Sequence, residues 1–333
     1  MTLSLVKSLK LHDQKVWSID VSRGLLATSS SDRKIKLVNL KHQKFNVIEE
    51  LDDSAHKKTV RSVAWRPHSH ILAAGSFDST ISIWGKEENA DYIDGELDTE
   101  LLAIIEGHDN EVKSVAWSHD GFFLASCSRD KSVWIWEADE AGEEFECISV
   151  LQEHSQDVKH VVWHPSQALL ASSSYDDTVR IWREHDDDWE CAAVLAGHEG
   201  TVWCSDFAKS EGPNVRLCSA SDDGTVRIWR YVEEDPDNEY EQIWEFEAVL
   251  PAVHTRSIYS VSWGSDGRIA SVGSDGKVVV YKEVRKGSWE VQEEVSECHG
   301  VYEVNVVKWA EIDGRTVLVT GGDDGCTNIW TCN

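Results

Sequence analysis

The 333-residue chain carries 32 Lys and Arg against 60 Asp and Glu, a net charge of −28, which repels the phosphate backbone of nucleic acid and the anionic face of a membrane. Its length exceeds the ~250 to 300 residues at which one hydrophobic core usually splits, so two domains or a repeat architecture is expected. Hydrophobic residues at 41% are typical of globular chains, and 16 Trp point to a unit that uses Trp repeatedly.

At the N-terminus, MTLSLVKSLKLHDQKVW has no continuous apolar run of the kind a leader needs, and no later stretch approaches ~18 apolar residues. The expectation is a soluble intracellular protein. Beyond it, one motif recurs in chain order: SSDRKIKLV (30–38), SFDSTISIW (76–84), SRDKSVWIW (128–136), SYDDTVRIW (174–182), SDDGTVRIW (221–229), GSDGKVVVY (273–281) and GDDGCTNIW (322–330). Each copy has an Asp six residues before its final large residue: Asp32, Asp78, Asp130, Asp176, Asp223, Asp275 and Asp324. A His precedes each copy, at His12, His56, His108, His154, His198, His254 and His299, with spacings of 44, 52, 46, 44, 56 and 45 residues.

That period suits a four-stranded propeller blade. Within it, VKSVAW (112–117), FFLASCS (122–128) and SVWIW (132–136) alternate in polarity as strands do. The expected fold is all-β, a seven-bladed propeller forming one domain over residues 1–333. The last copy ends as the third strand of its blade, so TLSLVKSLKL (2–11) is expected to supply the outer strand and close the ring.

The eight cysteines, Cys127, Cys147, Cys191, Cys204, Cys218, Cys298, Cys326 and Cys332, contain no C-x-x-C pair. Metal-ligand spacing is therefore absent. Several sit in apolar runs, where free Cys acts as a small hydrophobe. No bound metal or cofactor is expected.

These motifs resemble the WD40 family over the whole chain. In that family the His, the Asp, a hydroxyl four residues before the Asp and the Trp form a hydrogen-bonded chain within each blade. Full sets occur as His108, Ser126, Asp130, Trp136; His154, Ser172, Asp176, Trp182; His198, Ser219, Asp223, Trp229; and His299, Thr320, Asp324, Trp330. Blade two has Ala74 at the hydroxyl position, and blades one and six end in Val38 and Tyr281. Such a network satisfies buried polar groups that would cost about 1 to 3 kcal/mol each if unpaired. A Ser, His and Asp trio that recurs around a ring is explained by the fold, and no enzyme activity is expected.

The resemblance also places the His and Asp loops on one face, the top. The residue after the first Val or Ile of each first strand then rings the channel there: Trp17, Arg61, Lys113, Lys159, Trp203, Tyr259 and Asn305. The residue before each motif Asp lies nearby: Ser31, Phe77, Arg129, Tyr175, Asp222, Ser274 and Asp323. Blades two to four thus gather Arg61, Lys113, Arg129 and Lys159 with Phe77 and Tyr175, a cluster suited to an acidic or carboxylate-bearing partner. Arg129 is the leading candidate, since a guanidinium fork suits carboxylate capture. Acidic inserts at 86–100, 137–146, 184–190 and 231–241 are assigned to loops on the opposite face, giving a molecule basic above and acidic below.

Within the WD40 family, AHKKTVRSVAWRPHSHILAAGSFDSTISIW (55–84), LASCSRDKSVWIWEADEAGEEFECISVLQEHSQDVKHVVWHPS (124–166) and CHGVYEVNVVKW (298–309) resemble the branch that serves cytosolic iron-sulfur protein assembly. The resemblance implies a non-catalytic adaptor that helps pass clusters to cytosolic and nuclear apoproteins, cytoplasmic with a nuclear pool. Its implied partners are a DUF59-type scaffold protein, a HEAT-repeat adaptor, a hydrogenase-like cluster carrier and client apoproteins whose tails end in an aromatic residue and carboxylate. Arg129 matches that branch's functionally important top-face arginine. The alternatives are another WD40 adaptor, a chromatin-tail reader or ubiquitin-ligase receptor, and a propeller enzyme.

Overall fold

Among the described residues the strands build seven four-stranded antiparallel sheets, with the short strand Cys298–Val301 outside them. The computed structural model describes residues 3–52, 54–85, 98–186, 188–209, 214–235 and 238–332. Sheets follow one another in sequence, the first running through Val16–Ser22, Leu25–Ser30, Ile35–Asn39 and Asn46–Leu51. The third runs through Val112–Trp117, Phe123–Ser128, Val133–Ala138 and Phe145–Leu151. Among the described residues a single turn of 3-10 helix, Lys41–Gln43, interrupts the strands.

Second strands such as Leu25–Ser30 and Leu169–Ser174 are buried at every position, because a blade packs against a neighbour on both faces. The outer strands are half solvated, as in the pattern of Phe145–Leu151, and alternate accordingly. Each core is shared by two adjacent sheets. Leu25, Ala27 and Leu37 of blade one pack on Leu72, Ala74 and Trp84 of blade two, and Leu170 and Trp182 of blade four pack on Ala125, Cys127 and Ile135 of blade three. Burying each large side chain contributes about 1.5 to 3 kcal/mol, so no blade is stable alone and the ring stands through its interfaces.

The ring closes as the repeat pattern requires. Leu3–Lys10 pairs antiparallel with Cys326–Cys332, Leu3 opposite Cys332 and Lys10 opposite Cys326, and completes the sheet of Val304–Ile312 and Arg315–Gly322. The chain then passes tightly over Gly325, whose carbonyl accepts from the backbone N–H groups of Leu11 and His12 at 3.2 and 3.0 Å. Gly325 has φ +72 and a Cβ there would collide with the His12 carbonyl oxygen. Only glycine fits this seam.

One irregularity repeats in all seven blades. Where the first strand pairs with the second, the register skips one residue, between Val16 and Ser18, Val60 and Ser62, Val112 and Ser114, Val158 and His160, Val202 and Cys204, Ile258 and Ser260, and Val304 and Val306. The skipped residues are Trp17, Arg61, Lys113, Lys159, Trp203, Tyr259 and Asn305. A bulge re-aims the side chain it carries, and here it turns all seven into the central channel.

Candidate functional site

The repeated polar residues form buried chains. His108 Nδ1 lies 2.8 Å from Asp130 and its Nε2 2.8 Å from Ser126 Oγ, which accepts the indole N–H of Trp136 at 3.0 Å. In blade four His154 meets Asp176 at 2.8 Å and Ser172 at 2.7 Å, and Trp182 donates to Ser172 at 2.8 Å. His198, Asp223, Ser219 and Trp229 repeat this at 2.8, 2.7 and 2.8 Å, and His299, Asp324, Thr320 and Trp330 at 2.9, 2.8 and 3.1 Å. A proton on Nδ1 serves the carboxylate and leaves Nε2 to accept from the hydroxyl, so each atom has a partner.

The hydroxyls of Ser126, Ser172, Ser219 and Thr320 belong to residues with no exposed surface. A nucleophile must reach its substrate, and these do not. Burial alone would raise the Asp130 carboxyl, but the hydrogen bond and charge of His108 and the Ser132 hydroxyl outweigh it and hold it at about 2.

Blade two departs from the sequence expectation in a specific way. Ala74 removes the usual hydroxyl, and Ser82, directly opposite it on the third strand, supplies one instead. Ser82 Oγ stands 2.7 Å from His56 Nε2 and accepts from Trp84 at 2.7 Å. Blades one and six, which lack Trp, keep the inner half: His12 meets Asp32 and Thr28 at 2.9 Å each, and His254 meets Ser271 at 2.7 Å.

At the channel mouth the chain's cations lie on aromatic faces. The Arg61 guanidinium is 4.7 Å from the Trp17 ring centre, Lys113 Nζ 4.1 Å from that of Phe77, and Lys159 Nζ 5.1 and 5.3 Å from those of Tyr175 and Trp203. Arg61 also donates to the Trp17 carbonyl at 3.4 Å. Burial pushes it down to about 10, which leaves it charged at neutral pH. Burial likewise lowers Lys113, with Glu111 opposing and Lys159 and Arg61 adding to the shift.

Two carboxylates missing from the sequence assignment stand among these cations. Glu111 pairs with Lys113 at 2.5 Å and Asp157 with Lys159 at 3.3 Å. Arg129 spans the two blades, 3.8 Å from Glu111 and 3.9 Å from Asp157, with its side chain 54% exposed. Such long, wet contacts hold it weakly, so its fork is free to take a better-placed carboxylate. Glu111 and Asp157 lie just ahead of their first strands, and the bulge that re-aims Lys113 and Lys159 leaves each within reach of the carboxylate two residues earlier. That spacing was the available signal.

The remaining mouth residues are uncharged, and three of them donate to carboxylates. Trp203 Nε1 donates to Asp222 at 2.6 Å, Tyr259 Oη to Glu303 at 3.4 Å, Trp17 Nε1 to Ser31 at 2.7 Å and Asn305 to Asp323 at 2.8 Å. The face is therefore divided, cationic over blades two to four and acidic over five to seven. The expected polarity, basic above and acidic below, thus holds for the top only over blades two to four, because first-strand neighbours and motif loops bring their own carboxylates.

The acidic inserts also differ from expectation. Residues 86–97 lie outside the described residues, as do 187, 236 and 237. Much of 184–190 and 231–241 is not loop, since Thr178–His185 pairs with Asp188–Ala196 and Val226–Asp235 with Asn238–Val249 in long hairpins. The insert at 137–146 is held by buried Arg66, which donates to the carbonyls of Gly121, Asp139 and Glu140 at 2.8, 2.8 and 3.0 Å. Among the described residues no three His, Cys, Asp or Glu converge as metal ligands do, and no helix is long and apolar enough to cross a membrane.

Comparison with known proteins agrees with this architecture. The model of the WD domain, G-beta repeat, matches residues 3–39, 48–85, 99–137, 145–183, 189–230 and 245–282. The chain is 69% identical over 328 residues to the probable cytosolic iron-sulfur protein assembly protein 1 of Eremothecium gossypii, covering 98% of each. It is 67% identical over 331 residues to that of Kluyveromyces lactis, covering 98% of each. With the cytosolic iron-sulfur protein assembly protein 1 of Saccharomyces cerevisiae it shares 65% identity over 330 residues, 99% of this chain and 98% of the relative. Seven blades closed by the first strand, buried networks with no accessible nucleophile and these full-length matches place the chain among the WD40 repeat proteins, in the family of cytosolic iron-sulfur protein assembly protein 1.

Proposed function

We propose that this propeller is a non-catalytic adaptor of cytosolic iron-sulfur protein assembly whose cationic arc receives client apoproteins. The relatives' name supports the assembly role and a cytosolic setting. The observation that carries the client reading is the convergence of Arg61, Lys113, Lys159 and half-exposed Arg129 on one side of the channel mouth of a chain with net charge −28. An acidic segment or C-terminal carboxylate fits there, and Phe77 and Tyr175 offer apolar contact beside it. Trp17, Trp203 and Tyr259 complete the rim.

The other surfaces are left for a DUF59-type scaffold protein, a HEAT-repeat adaptor and a hydrogenase-like cluster carrier, with the cluster as cargo passed between carrier and client. Delivery to nuclear clients requires a nuclear pool of the complex. The test is affinity capture with the wild-type chain beside Arg129→Glu, followed by identification of bound proteins. Wild type is expected to recover iron-sulfur assembly factors and clients, and the variant to keep the factors and lose the clients. A wild-type catch without assembly factors would end the adaptor reading, and clients retained by Arg129→Glu would end the top-face assignment.

A further inference from the structure

The channel mouth has a repeated construction: an aromatic ring with a cation of the chain's own upon it. Trp17 holds Arg61, Phe77 holds Lys113, and Tyr175 and Trp203 share Lys159. Each aromatic side chain of the mouth follows this pattern except Tyr259. Among the described residues no Lys or Arg lies over its ring.

Its surroundings are built for one. Tyr259 packs edge-on against Trp203, ring centres 5.4 Å apart at 76°. Its phenol donates to Glu303 and the Trp203 indole donates to Asp222, so both rings are held in place by carboxylates. Among the described residues neither carboxylate has a basic partner. Arg256, on the adjoining loop of blade six, pairs with neither. By contrast Glu111 and Asp157, on the cationic side of the mouth, are each satisfied by a lysine. Burial first, and then the negative field of Glu303 and Asp222, raise the Tyr259 phenol. The aromatic face, the two carboxylates and the open channel mouth together favour a positive group arriving from outside.

We propose that Tyr259, Trp203, Asp222 and Glu303 form a seat for an arginine or lysine side chain of a partner protein, adjoining the end of the cationic arc at Lys159. The mouth then reads a segment bearing both signs, its acid toward Arg129 and its base toward Tyr259, which fixes the direction in which the segment lies. A purely acidic segment would be repelled by this half, so charge order becomes part of the recognition.

The full chain labelled with 5-fluorotryptophan tests this. Fluorine NMR follows the Trp203 resonance, assigned by its loss in Trp203→Phe, during titration with N-acetyl-arginine methylamide and with the uncharged N-acetyl-norleucine methylamide. The arginine probe is expected to move that resonance saturably, and Asp222→Asn combined with Glu303→Gln to weaken binding by roughly fivefold or more. Tyr259→Leu, which keeps both carboxylates, should weaken it as well. An equal response to the norleucine probe, or arginine binding unchanged in the charge-neutralised and Tyr259→Leu variants, would overturn the assignment. The readout needs no client protein and so stands apart from the capture experiment above.

Discussion

Ser82 Oγ and His56 Nε2 meet at 2.7 Å in the blade whose second strand offers Ala74 in place of a hydroxyl. The third strand has taken over from the second, and the same oxygen accepts the indole N–H of Trp84. Ser82→Ala leaves two buried groups without a partner and is expected to destabilise the fold by about 1 to 3 kcal/mol. Restoring the hydroxyl from the other side, with Ala74→Ser added to Ser82→Ala, should recover most of that loss. Chemical denaturation of the three proteins measures it, and a double variant no better than the single would contradict the exchange of roles.

Deleting residues 1–11 removes the strand paired with Cys326–Cys332 and the buried Leu3 and Leu11. It bares a sheet edge and part of two cores. Size-exclusion chromatography should find aggregate in place of monomer, whereas a soluble monomer melting like wild type would show that closure is dispensable.

Two arginines should respond differently to the same treatment. Arg129 is half exposed with contacts of 3.8 and 3.9 Å, so Arg129→Glu should shift unfolding by no more than about 0.5 kcal/mol. Arg66 is buried and satisfies three backbone carbonyls, so Arg66→Ala should cost about 2 to 4 kcal/mol. Urea midpoints compare them directly. A large loss at Arg129 would mean that its binding phenotype reflects misfolding.

Acid should weaken the ring in two stages. Burial pushes His160 and His164 down to about 4, with Asp206 opposing it at His160 and Lys209 adding to it at His164. The unfolded rings protonate near 6.5, so between about pH 6.5 and 4 the unfolded state binds more protons and stability falls, by up to about 1.4 kcal/mol per pH unit for each ring. The blade carboxylates follow: Asp78, Asp130, Asp176 and Asp223 are held below their ordinary range by their histidines, against the effect of burial. Their contribution is complete above about pH 4 and is lost as pH drops toward 2. Melting temperature against pH should decline in both windows. A curve flat from pH 6.5 to 4.5 would contradict the burial of the two histidines.

The sequence exposed whatever repeats. The recurring Asp and His pairs sufficed for blade number, the unfinished last blade for ring closure, and the WD40 resemblance for the identity of the channel residues, because each blade solves the same packing problem. What it concealed lies across strands. Ser82 occupies the position taken by Trp134, Arg180 and Arg227 in blades three to five, where a polar residue draws no notice. Its role appears only once the register sets it opposite Ala74. The sharing of the mouth between two signs was hidden for a related reason, since Asp222 and Glu303 belong to different blades and meet only around Trp203 and Tyr259.

The seam between Leu3 and Cys332 also orders events in time. The strand at Leu3–Lys10 leaves the ribosome long before its partner at Cys326–Cys332. Until then the first strand must stay unattached while blade after blade assembles, a delay set by the long sequence separation of the pair. During that wait the strand is an adhesive end that another nascent copy could capture, so folding on time depends on local closure outrunning encounter between chains.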